Sequence, residues 1–306
     1  MVSHPLRSIL VGDCDFYPSE YIFGVNQGMT LLGHWHSTVN VRQDIGVIAQ
    51  RVAQVQPDII WGHMLLWPPG SMQKPAELLA LCETWRRKGT RVVMHDGDAR
   101  LETRHPTDIS HAVDLVLCNH TADRSVWGIP QIWWPYGAFA QTAMAAPCSE
   151  FSCDLAFAGR VSESGIYAGR TILIRALHAR LEDRFRIFSG TPHTLMRTPE
   201  LAVSAVAILG YGRPESPGWL DVRLFQYSGA GGMVLYDDVA RASEFLTPHE
   251  HFIPYTKGSA ESVLAVLEML ARTSTTAWRQ RIFRYVQEHH SSAVRVQQAL
   301  RAVGLA

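Results

Sequence analysis

Leu155-Ala156-Phe157-Ala158-Gly159-Arg160 decides the fold. It is a short, continuous apolar run that closes on a glycine, the pattern of a strand buried on both faces of a sheet. Tyr167–Leu181 follows as a helix, Phe185–Ser189 as a strand and Ala205–Leu209 as another. Asp221–Ser228 opens a further helix, and Met233–Tyr236 and Phe252–Tyr255 are short strands. Ser259–Ala271, Thr276–His289 and Ala293–Val303 read as three closing helices. Apolar strands separated by helical stretches indicate a parallel sheet covered on both faces.

Upstream, the same rhythm has already run once. Ser8–Cys14, Trp35–Val39, Asp58–His63, Arg91–Asp96, Leu115–Asn119 and Gln131–Trp134 read as strands. Phe23–Leu32, Gln43–Val55 and Lys74–Lys88 read as helices, the first and last stopped by Gly33 and Gly89. Between the two runs the chain is rich in Ala, Pro, Ser and Gln without periodicity. The expected organisation is therefore a Rossmann-like domain over residues 1–138, a linker over 139–153 and a second Rossmann-like domain over 154–306. That is an α/β fold of two facing doubly wound halves, which suits a length of 306 residues.

Composition narrows the class. With 47% hydrophobic and 18% charged residues the chain has apolar material for two cores, which excludes a disordered or fibrous protein. Twenty-eight Lys and Arg balance twenty-eight Asp and Glu, against a protein that coats nucleic acid or anionic lipid. The balance is uneven along the chain. Residues 1–150 carry eleven basic and fourteen acidic side chains, and residues 151–306 carry seventeen and fourteen. The second half is the one expected to hold an anion. Five scattered cysteines without a CxxC pair point to free buried thiols rather than a zinc ribbon or redox pair. No signal-like leader and no membrane-length apolar run is read, so the expected location is cytoplasmic.

In doubly wound sheets ligands bind beyond the carboxyl ends of the strands. After the first strand stands Gly12-Asp13, and after the fourth His95-Asp96-Gly97-Asp98. The latter admits two readings, a metal-binding or general-base pair of carboxylates, or a turn whose aspartates cap local amides. Gly159-Arg160 with Arg170 could meet phosphate oxygens, though a lone Gly-Arg is more often an ordinary turn. Asp221-Val222-Arg223-Leu224-Phe225-Gln226 begins a helix whose N-terminus suits a diphosphate. His34, His36 and His63 lack a fixed ligand spacing, and no metal is expected on them. Trp61, Trp67, Trp133 and Trp134 read first as core or cleft walls. No Walker A, GxSxG, HExxH or kinase motif occurs.

Three passages, in order, carry a resemblance. They are Trp133-Trp134-Pro135-Tyr136-Gly137-Ala138, then Phe157-Ala158-Gly159-Arg160 with Tyr167 and Arg170, then Arg223-Leu224-Phe225-Gln226 with Gly229 before the strand ending at Asp237. His289-His290 and Arg295 complete it. The chain resembles the glycosyltransferases of the GT-B fold, and within the GT4-type clan the CgeB-like spore-maturation group.

The resemblance implies transfer of a sugar from a nucleotide-diphosphate sugar, UDP favoured, to a hydroxyl acceptor. It implies retained anomeric configuration, no obligatory metal and no cofactor beyond the co-substrate. Arg160 and Arg170 would hold the diphosphate, with Gly159 and Tyr167 beside them. Arg223, Leu224 and Gln226 would line the nucleotide, and Ser189 and Gly190 would approach base or ribose. Gly12 and Asp13 would face the sugar, and Asp96 and Asp98 an acceptor hydroxyl. Asp13, Asp96, Asp98 and Arg160 are the catalytic candidates. The family carries Glu, which binds ribose hydroxyls, where this chain has Gln226. That departure keeps open a non-catalytic nucleotide-sugar binder. An acceptor in hydroxymethylated DNA also stays open, through the basic run Arg86, Arg87, Lys88, Arg91, Arg100 and Arg104, and so does a nucleotide-sugar epimerase.

Overall fold

The computed structural model describes residues 4–12, 20–63, 75–96, 109–118, 128–135, 137–159, 161–162, 168–188, 197–212, 220–237 and 239–306. By their contacts they divide into two units. In the first, β1 (Arg7–Gly12), β2 (Trp35–Asn40), β3 (Ile59–His63), β4 (Arg91–Asp96), β5 (Leu115–Cys118) and β6 (Gln131–Trp133) form one sheet. Its order is β2-β1-β3-β4-β5-β6, and every pairing is parallel.

Alternation along each strand sends neighbours to opposite faces. Ile9, Val11, Ile60, Val92 and Met94 meet α2 (Ile45–Val55) and α3 (Pro75–Arg86) on one face. Leu10, Ile59, Trp61 and Val93 meet α1 (Glu20–Leu31) on the other. The helices start and stop for local reasons. Asp44, for example, caps α2 by accepting from the Gly46 amide at 2.7 Å, and Gln56 ends it in the left-handed region.

In the second unit β7 (Cys153–Ala158), β8 (Phe185–Phe188), β9 (Ala205–Leu209), β10 (Val234–Tyr236) and β11 (Ile253–Pro254) form a parallel sheet of order β11-β10-β9-β7-β8. Around it in sequence lie α4 (Ala168–Leu181), α5 (Thr198–Ser204), α6 (Val222–Gly229), α7 (Val239–Ala242), α8 (Ala260–Ala271) and α9 (Thr276–His290). The sequence reading locates every strand of both sheets. It misses α5 and α7, seven and four residues long and too short to show a helical period.

Two expectations about organisation change. The helix expected over Ala293–Val303 is α10 (Ser292–Ala302), and it belongs to the first unit rather than to the 154–306 half. Val296, Ala299 and Leu300 join the α1 face of the first sheet. The Trp134 indole donates to the Arg295 carbonyl at 2.8 Å, and the Ser292 hydroxyl to Gln27 at 2.7 Å. Gly28 of α1 allows the approach, because a Cβ there would come within 2.7 Å of the Ser292 carbonyl oxygen.

Residues 139–153, expected as a linker, are bound along much of their length to the second unit. The Gln141 amide donates to the Gln287 side chain at 3.0 Å, and the Cys148 amide to the Ser204 hydroxyl at 2.7 Å. Ser149–Phe151 forms a 3-10 turn that buries Phe151. Cys82 and Cys118 are buried thiols as expected, while Cys148 and Cys153 are only half-buried.

Arg279 of α9 closes the second unit's interior. Its guanidinium donates to the carbonyls of Ala202 (2.9 Å), Gly231 (3.2 Å), Ala205 (2.8 Å) and Val206 (2.9 Å). The Ala202 carbonyl near the end of α5 and those of Ala205 and Val206 at the start of β9 are satisfied by one rigid fork. Arg279→Met is expected to lower the melting temperature by several degrees, since stranding such acceptors costs about 1–3 kcal/mol each. Arg279→Lys is expected to fall between the two. An unchanged melting curve for Arg279→Met would contradict the role.

Candidate functional site

Each sheet reverses direction once, and such a reversal opens a crevice at the carboxyl ends of the strands. In the second sheet it lies between β7 and β9. At the end of β7 stand Phe157, Ala158 and Gly159. α4 brings Arg170 to this point in its first turn, and α6 brings Arg223 in its own. Both guanidiniums pack on one ring. The Arg170 carbon lies 5.1 Å and the Arg223 carbon 5.3 Å from the centroid of Phe157, which is fully buried. Arg170 is itself buried.

Arg223 is held on several edges. Its Nε donates to the Ala158 carbonyl and its Nη1 to the Asp221 carboxylate. Asp221 is the N-cap of α6, and its other oxygen accepts from the Arg223 amide at 3.0 Å. The cap alters one expectation. The amide at the start of α6 is already used by Asp221, so an anion here would meet guanidiniums rather than an open helix end. Gly159 leaves the space that Arg223 needs, because a Cβ at that position would run into the guanidinium.

Among the expected donor residues, Gly159, Arg170 and Arg223 come together. Leu224 and Gln226 do not join them. Leu224 is fully buried in the core. Gln226 is also buried, and both ends of its amide are used on the chain crossing from 137 to 139. Nε2 donates to the Gly137 carbonyl at 2.8 Å, and Oε1 accepts from the Phe139 amide at 3.2 Å. Arg160, Tyr167, Ser189 and Gly190 lie outside the described residues. The sequence reading missed Phe157 as a platform, and Asp221. The signal for the second was the Asp-x-Arg spacing at a helix start.

In the first unit the reversal falls between β1 and β3, at Gly12 and His63. Asp96 ends β4 on the same edge and is buried. Asp13 and Asp98 lie outside the described residues. His63 does not gather with His34 and His36. His34 accepts from the Leu6 amide at 3.3 Å, and His36 meets the Ser8 hydroxyl at 2.6 Å near the start of β2. His63 instead shares a buried stack with Tyr21 (5.2 Å) and His95, whose ring lies 4.3 Å from Tyr21. Burial raises the Tyr21 phenol far above its ordinary range. Among the described residues no group of three or more His, Cys, Asp or Glu is placed to hold a metal ion.

Of the tryptophans read as walls, Trp61 and Trp134 are buried in the first core and Trp133 is half-buried, while Trp67 lies outside the described residues. The described residues of the basic run make local contacts. Arg86 pairs with Asp114 at 2.8 Å, Arg87 with Glu83, and Lys88 lies 4.4 Å over the Trp85 ring. Arg91 approaches Asp114 at 3.7 Å, and Arg100 and Arg104 lie outside the described residues. No described helix is long and apolar enough to cross a membrane.

A family model described as glycosyl transferase-like matches residues 170–301, the stretch that holds Arg170, Asp221 and Arg223. No curated protein sequence matches the chain. Among solved structures, HepE of Anabaena in complex with UDP has a TM-score of 0.62 at 12% identity, covering 98% of this chain and 100% of that one. The same protein has been solved with UDP-glucose, at a TM-score of 0.61 and 12% identity and with the same coverage. A glycosyltransferase from Rickettsia africae has a TM-score of 0.61 at 9% identity, covering 98% of each chain. AviGT4, a glycosyltransferase involved in avilamycin A biosynthesis, has 0.56 at 11% identity, covering 98% of this chain and 97% of that one. At such identities the likeness carries the fold, and the α/β architecture of two parallel sheets is the GT-B one.

The Gln226 contacts lead to a stability prediction. Gln226→Glu puts a carboxylate oxygen against the Gly137 carbonyl in place of a donor. The variant is expected to unfold more readily, by about 1–3 kcal/mol in chemical denaturation. Stability equal to the parent would show that the amide does not hold this crossing.

Proposed function

We propose that the protein is a glycosyltransferase that uses a UDP-sugar and binds the donor's diphosphate at the carboxyl end of β7. The observation that carries this reading is the pair of guanidiniums, Arg170 and Arg223, on the single ring of Phe157. Two guanidiniums gathered at a sheet's reversal point present cationic donors where ligands of such sheets bind. Asp221 pairs with Arg223, and the fork-shaped donors of two guanidiniums suit the oxygens of a diphosphate. The glycosyl transferase-like match over residues 170–301 and the UDP complexes of HepE support the choice of donor.

When the bond from the anomeric carbon to the phosphate oxygen breaks, negative charge grows on the leaving diphosphate. Fixed guanidiniums stabilise that charge most when it is fully developed, which lowers the barrier rather than merely tightening binding. The acceptor's hydroxyl oxygen forms the new bond to the anomeric carbon, and its proton passes to the departing phosphate oxygen. Retention of configuration belongs to this reading, since it asks for no separate base. So does independence from a metal, with Arg170 and Arg223 in the place of a cation. A CgeB-like affiliation is also part of the proposal, supported by the Arg223–Gly229 block.

Titration calorimetry with UDP and with uridine tests the reading. The protein is expected to bind UDP more tightly than uridine. Arg170→Gln and Arg223→Gln are each expected to weaken UDP at least tenfold while leaving uridine within about twofold, with melting temperature as the folding control. Release of UDP from a panel of UDP-sugars is expected with the parent protein. Equal affinity for UDP and uridine would overturn the diphosphate site.

A further inference from the structure

Asp221 poses a problem for an anion site. Its side chain is 1% exposed, and a buried carboxylate beside a bound diphosphate opposes binding by its charge. Both of its oxygens nonetheless go to one residue. Oδ1 accepts from the Arg223 backbone amide at 3.0 Å, and Oδ2 accepts from Arg223 Nη1. The backbone amide of Asp221 donates in turn to the Tyr236 hydroxyl at 3.0 Å, which ties the cap to β10. Tyr236 is itself fully buried.

Arg223 has four torsions, and an arginine left to itself spreads over many rotamers. Here Asp221 holds Nη1, the Ala158 carbonyl holds Nε and the Phe157 ring supports the plane. Nη2 is thereby set in the space above Gly159 that a Cβ would fill. The ordering is done by the fold before any ligand arrives, so binding need not supply it.

We propose that Asp221 is a positioning residue for the donor diphosphate: it fixes the Arg223 fork over Gly159, and this gain outweighs the repulsion of its own charge. The inference rests on the diphosphate site described above. It assigns to one carboxylate two tasks, capping α6 and aiming the cation.

Asp221→Asn separates these tasks. Asparagine caps a helix about as well as aspartate but lacks the charge that holds Nη1. UDP and uridine affinities and melting temperatures are measured for the parent, Asp221→Asn, Arg223→Gln and the double variant. Asp221→Asn is expected to weaken UDP about tenfold, to leave uridine within twofold and to melt within a few degrees of the parent. The double variant is expected to bind UDP no more weakly than Arg223→Gln alone, because the carboxylate acts through that arginine. Should Asp221→Asn fail to fold, Asp221→Ser, also a good cap, is expected to give the same selective loss.

UDP binding equal to or tighter than the parent in a folded Asp221 variant would overturn the inference while leaving the diphosphate site in place. So would losses that add in the double variant. If Arg223→Gln binds UDP like the parent, the site itself is wrong and the role of Asp221 falls with it.

Discussion

The second unit's candidate site depends on a repulsion that has to be managed. Two guanidiniums share the ring of Phe157, and like charges 4 Å apart cost about 4 kcal/mol at an effective dielectric near 20, less in inverse proportion as they separate. The fold meets this cost in three ways. Asp221 supplies an opposite charge, the Ala158 carbonyl accepts from Arg223, and the face of Phe157 presents its negative quadrupole to both cations. Together these contacts hold both guanidiniums at the carboxyl end of β7.

Holding such an arrangement requires α6 to be immobile, and the surrounding contacts are spent on that. Every residue of α6 from Leu224 to Gly229 is buried. Gln226 ties it to the backbone of Gly137 and Phe139, and Gln287 of α9 donates to the carbonyls of Gly229 at 2.7 Å and Phe139 at 3.0 Å. Arg279, farther along α9, fixes the carbonyl of Gly231 in the turn that follows α6. These amides and guanidiniums carry no chemistry of their own. They keep the first turn of α6, with Asp221 and Arg223, at the end of β7.

Much of this was legible in the sequence, and the reasons for the rest are physical. Parallel strands buried on both faces are continuous apolar runs, so Ile9–Val11 or Ala205–Leu209 announce themselves. An amphipathic helix shows that it has a partner but not which one. Ala293–Val303 therefore read as part of the second half, although the apolar side of this helix packs on the first sheet with Gly28 opposite. Site residues follow the same division. Arg170, Arg223 and Gly159 were legible from residue type at a strand or helix end. Gln226 and Leu224 looked equivalent to them in sequence but stand apart from them, because one turn of helix decides whether a side chain faces the end of β7, the core or a neighbouring backbone. Phe157 was read only as a strand residue, since an aromatic in a buried run gives no sign that cations will settle on it.

A crystal of the protein soaked with UDP tests the central claim most directly. The account predicts the diphosphate at the carboxyl end of β7, with an oxygen about 3 Å from an Arg223 or Arg170 nitrogen and the Asp221–Arg223 pair unbroken. A diphosphate bound away from both arginines, or one that pulls Arg223 off Asp221, would contradict it.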